Sequence, residues 1–246
     1  MICIQGLKKS FGNELIWENV SFDIMEGETI AILGQSGTGK SVLLKHLNAL
    51  LLPDEGCVMV DGKDICSAKY VELRKLRQKF GVLFQSAALF DSISSFENIA
   101  FPLRYFTDMD EDEIKHTVEE SLERVNLGGL GQRKVSELSG GMRKRVGLAR
   151  AIILRPKYIL YDEPTAGLDP VMANEIDDLI INMSDQLDIS SIVVTHNMHS
   201  VFKIADKIAF LNDQTLCWFG TLDELYTTDY EPLVRFMKAS EYHLEK

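Results

Sequence analysis

Short runs of apolar, largely β-branched residues alternate along this chain with stretches in which apolar residues recur every three or four positions. The first pattern is typical of strands buried in a parallel sheet, and the second of helices. The candidate strands are Thr29 to Leu33, Phe80 to Phe84, Tyr158 to Tyr161, Ser191 to Thr195 and Lys207 to Leu211. A helix is predicted over Ser41 to Leu52, ending before Pro53. This alternation predicts an α/β fold with a mostly parallel sheet covered by helices.

Two regions depart from the alternation. Near the N-terminus, short apolar runs separated by turn residues predict antiparallel strands over Met1 to Ile4, Ile16 to Ile24 and Cys57 to Val60. Between Gln85 and Pro156 no strand pattern is found, so this stretch predicts an all-helical insertion in the sheet domain. One of its helices is expected to begin at the acidic residues 110–113, which suit the positive end of a helix dipole, and to end at 128–129, where two glycines follow each other. The apolar face of that helix consists of Ile114, Val118, Leu122 and Val125.

The predicted organisation has three parts. Residues 1–85 and 156–226 would form the α/β core with its antiparallel β-subdomain, and residues 86–155 the helical subdomain. Residues 227–246 are predicted to be a polar tail. The tail contains one short amphipathic piece, made by Leu233, Val234, Phe236 and Met237.

Composition narrows the class of protein. The chain has 246 residues, of which 46% are hydrophobic and 26% charged, an ordinary globular profile. No apolar stretch approaches the roughly 18 residues that a membrane span needs, and the N-terminus does not read as a signal peptide. The four cysteines lack metal-binding spacing and are expected to be reduced in a cytoplasmic protein. A net charge of −11 argues against nucleic acid as a partner.

A glycine-rich segment between the first predicted strand and the following helix carries the clearest chemical signal. Its residues are Gly34, Gln35, Ser36, Gly37, Thr38, Gly39, Lys40 and Ser41. The glycines allow backbone N–H groups and a helix N-terminus to approach an anion. Lys40 adds a charge near the terminal phosphates, and the Ser41 hydroxyl can coordinate Mg²⁺. The segment therefore predicts binding of a nucleoside triphosphate.

Two carboxylates follow a later apolar strand. Asp162 and Glu163 come directly after Tyr158 to Tyr161, and ligands collect at the C-terminal ends of parallel strands. Asp162 would hold Mg²⁺ through water, and Glu163 would polarise the water that attacks the γ-phosphate. An isolated Asp-Glu pair is more often a solvated strand end. The phosphate-binding segment upstream favours the catalytic interpretation.

A second glycine-containing segment precedes a helix predicted from Arg143 to Leu154. Ser139 can cap this helix, and Gly140 and Gly141 let N–H groups face an anion. The first turn contains three cations at residues 143–145, where the helix dipole disfavours positive charge. Two explanations are open: a bound phosphate nearby, or cations that point into solvent.

These segments together resemble ATP-binding cassette (ABC) ATPases, from Phe11 to about residue 220. The segment Leu138 to Gly141, which precedes the strand that ends in Asp162 and Glu163, is similar to the family signature Leu-Ser-Gly-Gly. The resemblance implies a P-loop NTPase fold of the RecA-like type, with ATP and Mg²⁺ as cofactors. It implies that Phe11 stacks on adenine and that Asp169, in Ala166 to Asp169, lies in the loop crossing a dimer interface. The implied catalytic residues are Lys40, Gln85, Glu163 and His196, and the implied Mg²⁺ ligands are Ser41, Gln85 and Asp162.

The subfamily resemblance is to the ATPases of Mla/Mce-type phospholipid transporters. It rests on residues 138–152, where Met142 stands in place of the usual Gln, and on residues 84–90 and 98–103. Residues 234–237 resemble the short tail helix of that group. In the family, a switch histidine contacts the γ-phosphate and is often followed by Asp. His196 matches this histidine, but Asn197 stands where Asp is common. The resemblance implies an ATPase that drives phospholipid transport.

The partners implied by the resemblance are a second copy of the chain and an integral-membrane permease. Two chains related by a two-fold axis would close two composite sites, each joining the phosphate loop of one chain to the signature of the other. The permease would dock in a groove near Gln85, bordered by Ala87 to Phe90 and by Phe96, Ile99 and Phe101. The alternative is that this apolar stretch belongs to the core of the helical insertion. Mce-domain and small regulatory subunits are further partners of such systems. The expected location is cytoplasmic, on the inner face of the cell membrane.

Several rival functions have different sequence requirements. A nucleotide or small-molecule kinase would share the phosphate loop but would not need Leu138 to Gly141. Cytosolic ABC ATPases of DNA repair, chromosome structure or translation typically carry a coiled-coil insertion or two cassettes in one chain. A catalytically inactive scaffold would not need Lys40, Asp162, Glu163 and His196 together. ABC ATPases for amino-acid import or lipoprotein release share every motif except the Met142 context, so they remain the alternative.

Overall fold

A mostly parallel six-stranded sheet forms the centre of the computed structural model, which describes residues 1–240. Its strands are β3 (Thr29–Leu33), β6 (Phe80–Leu83), β7 (Tyr158–Asp162), β8 (Ser190–Val194), β9 (Lys207–Asn212) and β10 (Thr215–Thr221). They lie in the order β10-β9-β3-β8-β7-β6, and only β10 pairs antiparallel with its neighbour. The predicted α/β fold is confirmed, since all five predicted strands lie side by side.

A second, antiparallel sheet covers one face of the central sheet. Its strands are β1 (Ile2–Phe11), β2 (Glu14–Ile24), β4 (Glu55–Val60) and β5 (Lys63–Asp64), in the order β2-β1-β4-β5. The antiparallel pairing was expected, but β1 and β2 are longer than predicted. Register shifts interrupt their pairing at three places, which explains why the apolar alternation looked broken in the sequence.

Nine helices lie within residues 1–240. They are α1 (Lys40–Leu47), α2 (Tyr70–Arg77), α3 (Ser95–Phe106), α4 (Glu111–Arg124), α5 (Gly140–Ile152), α6 (Pro170–Leu187), α7 (Met198–Ile204), α8 (Leu222–Thr227) and α9 (Glu231–Ala239), with a 3₁₀ turn over Val135–Glu137. Between β6 and β7 the chain forms no strand, as predicted: this segment contains α3, α4, the 3₁₀ turn and α5. None of the nine helices is both long enough and apolar enough to cross a membrane.

Helix α5 begins three residues before and ends two residues before its predicted bounds, and helices α1 and α4 end about four or five residues early. Helix α1 stops at Leu47 rather than Leu52, because Ala49 adopts a left-handed conformation with φ of 56°. The Arg77 guanidinium binds the carbonyl oxygens of residues 48 and 49, which stabilises this turn. Helix α4 ends at Arg124, before the glycine pair, and Asn126 makes the left-handed turn with φ of 57°. Both terminations depend on residues other than glycine or proline.

Three apolar clusters hold the layers together, and β3 joins two of them. Ile30 and Ile32 face the cluster shared with α1 and the antiparallel sheet. Ala31 and Leu33 face a cluster that contains residues of α7, α8 and α9. The third cluster joins the helical segment to the opposite face of the sheet, through residues of α3, α4, α5 and α6. Because β3 is packed on both sides, the loop that follows it has a rigid base.

The sequence predicted a polar tail with one short amphipathic piece, and the structure has an amphipathic helix at that place, α9 over residues 231–239. Helix α9 packs against the face of β3 that carries Ala31 and Leu33, through Leu233 and Met237, which are 0% and 1% exposed. The four residues of the predicted amphipathic piece all belong to this contact. The tail was predicted as polar because its other residues are charged, whereas its helical spacing brings the apolar ones onto one face. Residues 241–246 of the predicted tail lie outside the described part.

Candidate functional site

The glycine-rich segment connects β3 to α1 in the manner that the sequence predicted. Gly37 and Gly39 have φ of 86° and 84°, in the left-handed region that favours glycine. At Gly39 a Cβ atom would collide with the side chains of Trp17 and Ile16. A hydrogen bond from the Thr38 hydroxyl to the carbonyl oxygen of Gln35 closes the turn at 2.9 Å. The segment therefore forms a compact loop at the start of a helix, where backbone N–H groups can bind an anion.

The Lys40 ammonium closes the loop from inside. Its Nζ donates to the carbonyl oxygens of Gly34 and Gln35 at 2.8 and 2.9 Å, and the residue is 8% exposed. Burial lowers the pKa of Lys40, and the nearby carboxylates of Glu163 and Asp162 oppose that shift. A cation in this position can transfer its bonds to the phosphates of a ligand that enters the loop.

Asp162, Glu163 and His196 lie at the C-terminal ends of β7 and β8, on the same edge of the sheet as the loop. The Ser41 hydroxyl donates to Asp162 Oδ1 at 2.8 Å, which brings two hard oxygen ligands together. Glu163, one residue further, has its Oε1 2.9 Å from His196 Nδ1. These contacts join β7, β8 and the loop after β3 at one edge of the sheet, as expected for parallel strands.

A cavity of about 780 Å³ opens at this edge. The predicted residues that line it belong to the phosphate loop, to the segment after β6 and to the strand ends: Gly34, Gln35, Ser36, Gly37, Gly39, Lys40, Ser41, Gln85, Glu163 and His196. Helix α9 also lines the cavity, with Pro232, Arg235 and Phe236 among its lining residues, which sequence reasoning did not connect to the site. The helical spacing of the tail residues was the available signal, but it could not show where the helix packs.

Several predicted site residues lie outside this cavity. Ser139 caps α5 through a bond from the Met142 backbone N–H at 3.3 Å, and Gly140 and Gly141 form the start of that helix. Asp169 caps α6 with two bonds of 3.0 Å from backbone N–H groups. Phe11 stands 46% exposed at the end of β1. Within one chain, none of these residues lines the cavity that contains the phosphate loop.

The three cations at the start of α5 are hydrogen-bonded to protein acceptors. The Arg143 guanidinium donates to the Leu138 carbonyl oxygen at 2.7 Å. The Lys144 ammonium donates to the Glu163 carbonyl oxygen at 3.1 Å. Arg145 binds the Val125 carbonyl oxygen and the Glu175 carboxylate. Arg143 is also exposed to solvent, as one of the two explanations predicted, whereas Lys144 is buried and depends on its protein acceptor.

The predicted docking groove requires a correction. Ala87 and Ile99 are 1% and 0% exposed and belong to the core of the helical segment. Phe96 also packs against that core. Phe90 and Phe101 are about half exposed, at 49% and 50%, and their rings meet edge to face with centroids 5.5 Å apart. Of the predicted docking residues, this aromatic pair therefore provides the exposed apolar surface, and Ala87, Phe96 and Ile99 pack in the core beneath it.

Comparisons with known proteins agree with this geometry. A family model described as ABC transporter matches residues 17–166. A Mycobacterium leprae protein named as a probable ribonucleotide transport ATP-binding protein, mkl, is 48% identical over 94% of this chain and 67% of its own length. The chain thus spans about two thirds of that relative, and 64% of its Mycobacterium tuberculosis counterpart.

A second relative matches nearly from end to end. The intermembrane phospholipid transport system ATP-binding protein MlaF of Haemophilus influenzae is 40% identical over 97% of this chain and 90% of its own length. Among solved structures, the dimeric ATP-binding cassette MJ0796, bound to ADP and phosphate after hydrolysis, is 30% identical with a TM-score of 0.83. That match covers 90% of this chain and 99% of the MJ0796 chain. The chain belongs to the ABC transporter family, as an ATP-binding, ATP-hydrolysing cassette.

Proposed function

We propose that this chain is the ATPase subunit of a transporter that moves phospholipid between membranes. The observation that carries the proposal is the similarity to MlaF, which extends over 97% of this chain and 90% of that relative. The higher identity to mkl favours ribonucleotide as a second candidate cargo, but that match leaves about a third of mkl unaligned. The cassette itself has no part in selecting cargo in either case, since ATP is the ligand that its motifs fit.

The phosphate loop and its neighbours would bind ATP with Mg²⁺. Ser41 and Asp162 place two oxygens 2.8 Å apart, the kind of ligand that Mg²⁺ prefers, and Gln85 lines the same cavity. Residues 1–240 contain no group of three or more His, Cys, Asp or Glu side chains that could hold a metal alone. That donor set fits an ion held by one or two protein ligands, water and phosphate oxygens. When bound, Mg²⁺ would neutralise charge on the phosphates.

Glu163 would act as the general base for the attacking water. It lines the cavity, and its carboxylate is hydrogen-bonded to the His196 ring, which orients it. His196 would contact the γ-phosphate, because it lines the same cavity. Lys40 would stabilise the charge on the terminal phosphates after leaving the loop carbonyl oxygens.

The active unit would be a homodimer with two composite sites. Ser139, Gly140 and Gly141 lie at a helix N-terminus, suited to an anion, yet they lie outside the cavity of their own chain. A two-fold axis would bring them against the partner's phosphate loop. Asp169 would lie at this interface, and Phe11 would stack on the adenine. The dimeric state of MJ0796 supports the arrangement.

A membrane permease would receive the motion through the aromatic pair of Phe90 and Phe101. Both rings are about half exposed, and Phe90 follows Gln85, which lines the ATP cavity, by five residues. We place the cassette on the cytoplasmic side of the membrane, attached through that permease. Mce-domain and small regulatory subunits would complete the system. Residues 86–155 would serve as the coupling subdomain, and residues 1–85 and 156–226 as the ATP-binding core.

The test is transfer of labelled phospholipid between vesicles that carry the cassette with its permease. We expect ATP-dependent transfer, and we expect Lys40→Ala to abolish it while assembly is kept. Parallel vesicles loaded with a labelled ribonucleotide or amino acid, or carrying a labelled lipoprotein, test the other cargoes. Movement of one of these without movement of phospholipid would contradict the lipid proposal and leave the ATPase assignment intact.

A further inference from the structure

One buried ammonium group next to the cavity has no part in the functions described so far. Lys144 lies in the first turn of α5 and is 5% exposed. Burial lowers the pKa of Lys144, while the carboxylates of Glu163 and Asp162 favour its charged form. The helix dipole also disfavours a cation at this position. Because burial and the helix dipole both disfavour the charged ammonium, a specific hydrogen-bond acceptor is needed to stabilise it.

The acceptor is the backbone of the residue that we assign as the base. Lys144 Nζ lies 3.1 Å from the carbonyl oxygen of Glu163, and no carboxylate in residues 1–240 forms an ion pair with this lysine. Glu163 has φ of 49°, a left-handed conformation that residues other than glycine adopt at a cost. The strained backbone of a catalytic candidate is therefore bonded directly to a buried cation.

The rest of the Glu163 backbone is fixed as well. Its N–H donates to the Val194 carbonyl oxygen on β8 at 2.9 Å, and the Ala166 N–H shares the Glu163 carbonyl at 3.2 Å. Lys144 is the only one of these partners that comes from the helical segment. A rotation of the Glu163 peptide would displace the carboxylate from its position 2.9 Å from the His196 ring. The orientation of this carboxylate thus depends on a bond to α5.

We propose that Lys144 is a positioning residue that holds the Glu163 backbone in the conformation from which its carboxylate faces the cavity. Helix α5 begins with the Gly140 and Gly141 segment, which would face the nucleotide of the partner chain. Lys144 therefore ties the base of one site to the signature helix of the other. This inference rests on the proposed role of Glu163 as the base.

A double-mutant cycle on the full chain, assembled with its permease, tests the inference. Lys144→Met replaces the ammonium with an apolar group of similar length, and we expect kcat to fall about 10- to 100-fold, as for a misplaced catalytic group. The KM for ATP should stay within about threefold. In the Glu163→Gln background the same substitution should lower kcat no further, because the base is already absent.

The control is Arg145→Gln, which removes a cation from the same turn whose acceptors lie away from the cavity. We expect its kcat to stay within about twofold of wild type. Equal losses from Lys144→Met in both backgrounds, or a kcat within threefold of wild type, would overturn the inference. A wild-type rate for Glu163→Gln alone would instead contradict the proposed base.

A second variant keeps the inference testable if Lys144→Met does not fold, a condition that thermal melting detects. Lys144→Gln is neutral and retains an N–H donor, but its side chain is one bond shorter and should lose the direct contact. We expect an intermediate loss of kcat, about three- to tenfold, that disappears in the Glu163→Gln background. A wild-type kcat for Lys144→Gln, or a loss that persists without the base, would contradict the positioning role.

Discussion

Removal of the Leu233 side chain tests whether the last helix is part of the folded cassette. Leu233 is completely buried between α9 and β3, in a cluster with Leu33, Phe210 and Met237. Leu233→Ala deletes three buried carbon atoms and leaves a cavity that a short terminal helix can fill only by moving. Because α9 also forms a wall of the ATP cavity, the effect should reach the nucleotide site.

The expected cost follows from the complete burial of this side chain. Leu→Ala substitutions at such positions cost about 3 kcal/mol, within a range of roughly 2–5. For a chain of this length a loss of that size lowers the melting temperature by roughly 6–12 °C if α9 unfolds with the core. If α9 detaches first, its amide protons should exchange roughly 100-fold faster while the core melts nearly unchanged.

Thermal melting and hydrogen exchange of residues 231–239 separate the two outcomes. Lys238→Ala is the matched control, since Lys238 is exposed on the same helix and its substitution should change stability by no more than about 0.5 kcal/mol. If Leu233→Ala and Lys238→Ala have the same melting temperature and the same exchange rates, the packing of α9 on the sheet is refuted.

Three further predictions concern the site and the core. Glu163→Gln should retain ATP binding and lower hydrolysis roughly 10²–10⁴-fold, measured as phosphate release. Gly39→Ala should abolish ATP binding, measured by calorimetry, because its φ of 84° and the Trp17 ring leave no room for a methyl group. Burial alone would raise the pKa of Asp61, but hydrogen bonds from Lys79 and three further donors outweigh it and hold that pKa well below its usual range. Asp61→Asn should therefore destabilise the fold at neutral pH, and its difference from wild type in denaturant titrations should shrink as pH falls below about 4, where the unfolded carboxyl is protonated.

Each of these predictions has a contrary result. Hydrolysis within twofold of wild type would remove Glu163 from the chemistry. Wild-type ATP affinity in Gly39→Ala would show that the loop can rearrange around a side chain. A stability difference that stays constant from pH 7 to pH 3 would show that the charge of Asp61 does not stabilise the fold.

The parts that the sequence predicted well depend on local rules. The loop over Gly34 to Ser41 needs glycine backbone freedom, a strand before it and a helix after it, and all three are visible within about a dozen residues of sequence. The meeting of Asp162 with Ser41 follows from parallel strands, whose C-terminal ends share one edge. The fold class follows from the alternation of strand and helix patterns.

The parts that were missed depend on contacts between distant segments. Helix α1 ends at Leu47 because Ala49 adopts a left-handed conformation, and no pattern near residue 47 indicates the contact with Arg77 that stabilises this turn. The cations of α5 donate to the carbonyl oxygens of residues 125, 138 and 163. Residues 125 and 163 are about twenty residues away in sequence, and residue 138 lies just before the helix. The amphipathic piece of the tail was predicted, but its four apolar residues do not reveal which surface of the sheet they cover.

The composite site is the central feature of this account, and one pair of heterodimers tests it. In the trans heterodimer, one chain carries Ser139→Arg and the other Lys40→Ala. Head-to-tail sharing leaves one site without defects and puts both defects in the other. In the cis heterodimer, a wild-type chain is paired with a chain that carries both substitutions. Head-to-tail sharing then puts one defect in each site.

The measurement is ATP hydrolysis by the two heterodimers, each purified through a different tag on each chain. The account predicts partial recovery of hydrolysis in the trans heterodimer and none in the cis heterodimer. Sites contained within single chains would give the reverse, with activity in the cis heterodimer and none in the trans heterodimer. That reversed result would contradict the composite site directly.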